Sequence, residues 1–323
     1  MNTRIKTFFF LMLLWCLSAC DRVEIPVEAH DPGLVITSSV SLDPDYKWQV
    51  YFDLETNQVV GKNLKTEWDL GFSTDPNGYE VVLNSSKGMF VSSKENIVFE
   101  AVADTVGFEH EKGLDAPTGN LDSTAIGDWR NLSKVYVIDR GYDELGRHQG
   151  FKKLEFLSVD HAAYTVRLAD LDGNDDAQIT IGKDTSYNFS FLSLEGTGSI
   201  KEIEPPKRSW DLCFGQYMEL LPEPYLVTGA LLNRFQTSAA MDSSIQFQEV
   251  DFQFANAINK QSAIQVIGYS WKYYDFDSAL FDILAEMNFL IKDNHGLIYK
   301  LHFTDFYNDL GVKGTPTWEY QQL

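Results

Sequence analysis

Lys65-Thr66-Glu67-Trp68-Asp69-Leu70-Gly71-Phe72 returns later in the chain as Lys207-Arg208-Ser209-Trp210-Asp211-Leu212-Cys213-Phe214. In both copies apolar residues alternate with small or polar ones, the period of a strand that shows one face to a core. The correspondence extends in both directions. Trp129 follows Trp68 by 61 residues, and Trp271 follows Trp210 by 61 residues. Phe151-Lys152-Lys153-Leu154-Glu155-Phe156 matches Ile298-Tyr299-Lys300-Leu301-His302-Phe303. Val50-Tyr51-Phe52-Asp53-Leu54 loosely matches Asn188-Phe189-Ser190-Phe191-Leu192, and Asn84 and Asn233 each follow a short strand-like run. Ordered matches of this kind mark an internal repeat. They predict a mainly β protein of two tandem modules, residues 41–175 and 176–323, each burying its Trp-Asp strand (Trp68, Asp69; Trp210, Asp211) in its own interior. Asp75-Pro76-Asn77-Gly78 and Asp293-Asn294-His295-Gly296 are turn sequences. Helix is expected as a minor component, with its best candidate at Ser278 to Met287.

The N-terminus fixes an expected compartment. Arg4 and Lys6 precede the apolar run Phe8 to Ala19, which is too short to cross a bilayer but suits a signal-peptide core. Leu17-Ser18-Ala19-Cys20 resembles the lipobox of bacterial lipoproteins. Residues 1–19 then read as signal peptide, Cys20 as the lipidated residue and 20–40 as a tether. Loss of Arg4 and Lys6 leaves 24 basic against 47 acidic residues, a formal charge of −23. Such a surface repels phosphate backbones and anionic headgroups, so nucleic acid is excluded as a partner and membrane contact is expected only through the lipid. Cys16 lies in the signal segment, which leaves Cys213 without an intrachain disulfide partner.

No nucleophile elbow, zinc-protease helix, phosphate loop or dinucleotide fingerprint is present, and no enzyme is expected. Asp170-Leu171-Asp172-Gly173-Asn174-Asp175-Asp176 has the look of a calcium loop but carries Asp175 where the bend needs Gly, and Ile181 where a bidentate Glu belongs. It reads as an acidic turn. Cys213 stands where the first copy has Gly71, so a thiol is not required there, and it reads as an inert buried residue. The repeated Trp-Asp pairs, with Trp129 and Trp271, read as structural, each Trp bringing about 150–250 Å² of burial. His30, His110, His148, His161, His295 and His302 are scattered, none in a two-His metal spacing on one element.

The Trp-Asp-Leu-x-Phe strands resemble the HmuY family of Bacteroidetes surface lipoproteins. So do Tyr225-Leu226-Val227-Thr228-Gly229-Ala230-Leu231-Leu232-Asn233, Trp271-Lys272-Tyr273-Tyr274-Asp275 and the closing stretch Gly296 to Tyr307 with Gly311, Gly314 and Trp318-Glu319-Tyr320. In the first half, Val135-Tyr136-Val137-Ile138-Asp139 followed by Lys153-Leu154-Glu155-Phe156 looks like the same ending. The resemblance implies an all-β, hand-like fold and a role in heme or iron acquisition at the cell surface of the outer membrane, handing heme to a TonB-dependent receptor. It further implies axial heme ligation by two His or Met side chains between the Trp-Asp strand and the final strand. On this sequence the candidates are Met241, Met287 and Tyr273 in the second half, and Met89 and His110 in the first. The alternative from the same residues is a lipoprotein that docks a receptor, glycan or matrix without touching heme.

Overall fold

The computed structural model describes residues 32–108 and 113–323, so Cys20 and His110 lie outside the described residues. Pro32–Leu323 forms one compact unit, built of antiparallel sheets as the period-two patterning requires. Sheet I holds, in order, Ala177–Gly182, Ala163–Ala169, Phe151–Val159, Lys134–Asp139 and Phe90–Glu95. Sheet II holds Ile36–Ser39, Lys313–Gln322, Ile298–Tyr307, Asn288–Lys292 and Ser238–Asp242. Sheet III is Ser199–Lys201, Phe189–Ser193, Leu70–Ser73 and Val81–Leu83, and sheet IV is Tyr225–Leu232, Leu212–Glu219, Trp48–Asp53 and Gln58–Leu64. A separate hairpin joins Lys272–Asp275 to Leu280–Ile283.

Sheets III and IV are assembled by exchange. Trp48–Asp53, from early in the chain, pairs with the Trp-Asp strand of the second half, Leu212 facing Phe52. Phe189–Ser193 pairs with the Trp-Asp strand of the first half, Leu70 facing Leu192. The residue 175/176 division falls in the turn of the hairpin formed by Ala163–Ala169 and Ala177–Gly182, and pairing crosses it in both directions.

Stretches that match in sequence occupy matching places. The Asp69 amide donates to the Leu192 carbonyl and the Asp211 amide to the Phe52 carbonyl, both at 2.9 Å. In return the Leu194 amide donates to Asp69 Oδ2 at 2.7 Å and the Leu54 amide to Asp211 Oδ2 at 2.9 Å. Asn84 Nδ2 donates to the Lys65 and Trp68 carbonyls, and Asn233 Nδ2 to the Lys207 and Trp210 carbonyls. Lys153 Nζ donates to the carbonyl of Val102, which ends the turn Phe99–Ala101, and Lys300 Nζ to that of Val250, which ends Phe247–Glu249. Trp129 stacks on Phe156 at 4.7 Å and Trp271 on Phe303 at 4.0 Å.

Two expectations are corrected. Leu70 and Phe72 sit in one core and Leu212 and Phe214 in another, but Trp68 and Trp210 meet in a third cluster between the halves, with Tyr51, Phe189 and Phe191. The strands begin at Leu70 and Leu212, so the two-residue alternation never reaches the tryptophans. The stretch Ser278 to Met287 is not helical. Asp275 accepts from the Asp277 and Ser278 amides, making an Asx turn, and Phe281 and Ile283 then alternate toward the core with exposed Leu280. Among the described residues a short α-helix forms at Phe252–Ala257, where the Asp251 carboxylate caps the Phe254 amide at 2.7 Å.

Candidate functional site at the end of sheet II

Of the five candidate ligands, Met241 lies on the edge strand of sheet II and Met287 just before the neighbouring strand. Met241 lies opposite Phe289 on the neighbouring strand, and Met287 stands two residues before Phe289. Met287 itself lies in the turn before that strand, its amide donating to the Leu284 carbonyl at 3.0 Å. Met287 packs partly against the second-half core, whereas Met241, at the edge strand, is 47% exposed. Met89 is buried in the first-half core, which takes its thioether out of reach of any ligand that arrives from solvent.

The hairpin Lys272–Asp275/Leu280–Ile283 leads directly into Met287. Its inner face, Tyr274 and Phe281, continues a ring ladder into the core: Tyr274 meets Phe281 edge-on at 5.1 Å, and Phe281 meets Phe306 at 5.1 Å. Tyr273 faces the other way, opposite Asp282; its hydrogen bond to that carboxylate raises the phenol's pKa. Tyr273 is therefore on the outer hairpin face and does not join the two methionines. Around the turn Phe276 is 88% exposed, with Leu280 and Tyr273 also exposed. Clustered apolar surface of this kind marks a place where something binds.

The hairpin is rooted by Lys272. Its Nζ donates to the Thr228 carbonyl and sits 4.4 Å from the Trp271 ring centre and 4.9 Å from that of Phe306. Burial without a carboxylate partner pulls the amine down to about 7. Sequence reasoning missed Lys272, Phe276 and Leu280. The signal lies in the aromatic density of Tyr269 to Phe281.

On the opposite face of sheet II, His302 stacks on Phe247 at 4.1 Å in a cleft of about 460 Å³. Its Nδ1 faces the Ala285 carbonyl at 3.1 Å and its Nε2 the Glu319 carboxylate at 3.2 Å. Both ring nitrogens are thus occupied by contacts within the chain. His148 bonds Asp139, and His295 lies beside Glu55. No group of three His, Cys, Asp or Glu placed to hold a metal ion occurs among the described residues. The acidic turn at 170–176 is clamped by the chain's own cations, Lys152 to Asp170 at 2.7 Å and Arg167 to Asp176 at 2.6 Å. Burial pushes the Cys213 thiol up to about 12, which keeps it protonated and unreactive.

The chain belongs to the HmuY family, whose model, described as HmuY protein, matches residues 45–320. No curated protein matches it. Among solved structures, apo PinO from Porphyromonas gingivitis is similar at 11% identity, covering 90% of this chain and 98% of that one, with a TM-score of 0.35. A putative HmuY-like heme binding protein from Bacteroides vulgatus is similar at 11% identity, with 88% and 90% covered and a TM-score of 0.22. An apo HmuY analog from Tannerella forsythia is similar at 13% identity, with 90% and 98% covered and a TM-score of 0.20.

Proposed function

We propose that this protein binds heme and does not catalyse a reaction, taking the macrocycle against the aromatic hairpin with Met241 and Met287 as axial ligands. Family membership supports the heme reading. The observation that carries the site is the half-exposed Met241 opposite Phe289, with Met287 in the segment that joins the aromatic hairpin to that strand. Thioether sulfurs are soft axial ligands known in heme proteins, and methionine side chains are flexible enough to adapt to a ligand. The aromatic hairpin supplies the apolar wall a flat macrocycle needs.

In the same reading Cys20 carries the lipid, residues 20–40 tether the body at the cell surface of the outer membrane, and heme passes to a TonB-dependent receptor. The chain is then two HmuY-like units, 41–175 and 176–323, interlocked by exchanged hairpins. Titrating hemin into the chain lacking residues 1–20 tests the proposal. A shifted Soret band that saturates at one heme per chain is expected; a spectrum identical to free hemin rejects it. One observation favours a second reading, a docking lipoprotein that ignores heme: Phe276 at the hairpin turn is almost fully exposed. That reading predicts hemin indifference together with loss of a bound envelope partner on Phe276→Ser.

A further inference from the structure

We propose that the seam between the two halves is a second ligand site, independent of the methionine pair, built for a small aromatic carboxylate. Between sheets III and IV lies a cavity of about 130 Å³, walled by Tyr51, Trp68, Phe191, Trp210 and Cys213, with Asp115 and Glu204 also in its lining. An apolar void of about 150 Å³ is enough to admit a benzene ring. A second cleft of about 250 Å³, with Thr74, Tyr187, Lys207 and Phe235 in its walls, opens beside it. Asn188, Phe189 and Arg234 line both, so the two spaces meet at Arg234.

Arg234 is the feature that asks for a ligand. A guanidinium carries five N–H donors in a fixed plane. Here Nη1 donates to the Gly119 carbonyl and the group lies 5.3 Å from the Phe189 ring centre. Among the described residues it forms no ion pair. Asp115 and Glu204 act on it only through space, and desolvation lowers its pKa. The two acids are already served by other donors. Asp115 accepts from the Leu83 amide at 2.6 Å and the Ala125 amide at 2.8 Å. Glu204 accepts from the Phe189 amide at 2.8 Å and from the Asn188 amide. Each carboxylate is thus engaged by backbone amides, while the half-buried guanidinium has the Gly119 carbonyl as its hydrogen-bond acceptor among the described residues. The indole N–H of Trp210, a wall residue of the inner cavity, is likewise buried without an acceptor.

A planar ring that fills the inner cavity and presents a carboxylate to Arg234 meets these needs together. The apolar walls take the ring by burial and the guanidinium takes two oxygens side by side, its strongest mode of anion recognition. The site needs both halves, since Tyr51 and Trp68 come from residues 41–175 while Phe191, Trp210 and Cys213 come from 176–323.

Isothermal titration of the full chain, purified in detergent, with benzoate and with benzyl alcohol tests this. Saturable benzoate binding at one per chain is expected, with benzyl alcohol at least tenfold weaker. Arg234→Met should weaken benzoate at least tenfold and leave benzyl alcohol unchanged. Cys213→Leu, which fills the inner cavity and leaves Arg234 in place, should abolish both while the thermal midpoint stays within a few degrees. Saturating benzoate should leave the hemin Soret spectrum unaltered, so failure of this site and failure of the heme reading are separately visible. Heats equal to dilution with the folded chain, benzoate affinity untouched by both substitutions, or displacement of hemin by benzoate would each overturn it.

Discussion

The two halves of this chain make the same connection at very different lengths. Four residues separate Trp129 from the strand that begins at Lys134, whereas sixteen separate Trp271 from the strand that begins at Asn288. The additional residues are the aromatic hairpin. Ladder registers extend the comparison. Tyr136 faces both Ser93 and Leu154, as Phe289 faces both Met241 and Leu301, so the second-half methionines 241 and 287 stand where the first half has Ser93 and Lys134. The frame is shared, and the sulfur pair and its aromatic wall belong to one half only. A fold can keep its packing constant and concentrate its chemistry in a single insertion, because sheet ladders constrain their own residues far more than the loops between them.

The buried aspartates diverge in the same way. Asp69 is fully buried with Lys87 and is paired by Arg140 at 3.2 Å. In the second half Gln236 replaces Lys87 and Asp293 replaces Arg140, and Asp211 is left with the Leu54 amide and Asn294 Nδ2 at 3.3 Å. Removing the acid from a buried ion cluster leaves unpaired cations, at about 3–5 kcal/mol. Asp69→Ala is therefore expected to lower unfolding free energy by about that much in urea titrations, the largest effect of any substitution considered. Asp211→Asn should be neutral or stabilising at pH 8. Equal losses from both would erase the contrast.

The pH dependence follows from the same carboxyl. Burial pushes Asp211 up to about 7, with Asp293 adding repulsion and the Leu54 amide opposing. Between its ordinary range near 4 and about 7, the folded chain holds a proton that the unfolded chain has released. Stability should then fall as pH rises across that window, by a few kcal/mol at most for a shift of this size. Buried Glu204, also raised to about 7, adds a slope of the same sign. Asp211→Asn should flatten part of the curve between pH 4.5 and 7; an unchanged slope would place the titration elsewhere. Above about 7 the depressed Lys272 amine contributes the opposite trend, so the scan is read below that point.

Lys153 and Lys300 provide the smallest and sharpest comparison. Each drives its amine onto carbonyls at the end of a short turn, Lys153 onto Val102 and Lys300 onto Phe247 and Val250. Replacement by Met leaves buried carbonyls unmatched, at about 1–3 kcal/mol. Thermal unfolding should show similar losses for Lys153→Met and Lys300→Met. A silent substitution in one half would make the correspondence a coincidence of sequence.

Much of this frame was legible in the sequence, because alternation, the repeated Trp-Asp phrase and the matching Phe151 and Ile298 strands are local signals. The exchange of hairpins was not, since antiparallel pairing partners at such separation leave no periodic mark in either strand. The hairpin at 272–283 was missed because a short run such as Ala279-Leu280-Phe281-Asp282-Ile283 suits helix and strand equally, and the Asx turn at Asp275 decides between them. The place of Met241 opposite Phe289 was equally hidden, because only the ladder register reveals it. The seam cavity depends on Arg234 and Glu204, which carry no motif.

Spectroscopic titration of hemin against the double variant Met241→Ala/Met287→Ala, beside the unaltered chain, addresses the thioether site most directly. The account predicts that the double variant keeps its fold and thermal midpoint within a few degrees but loses the saturable Soret shift that the parent shows. An equally tight, equally shifted Soret band in the folded double variant would contradict it.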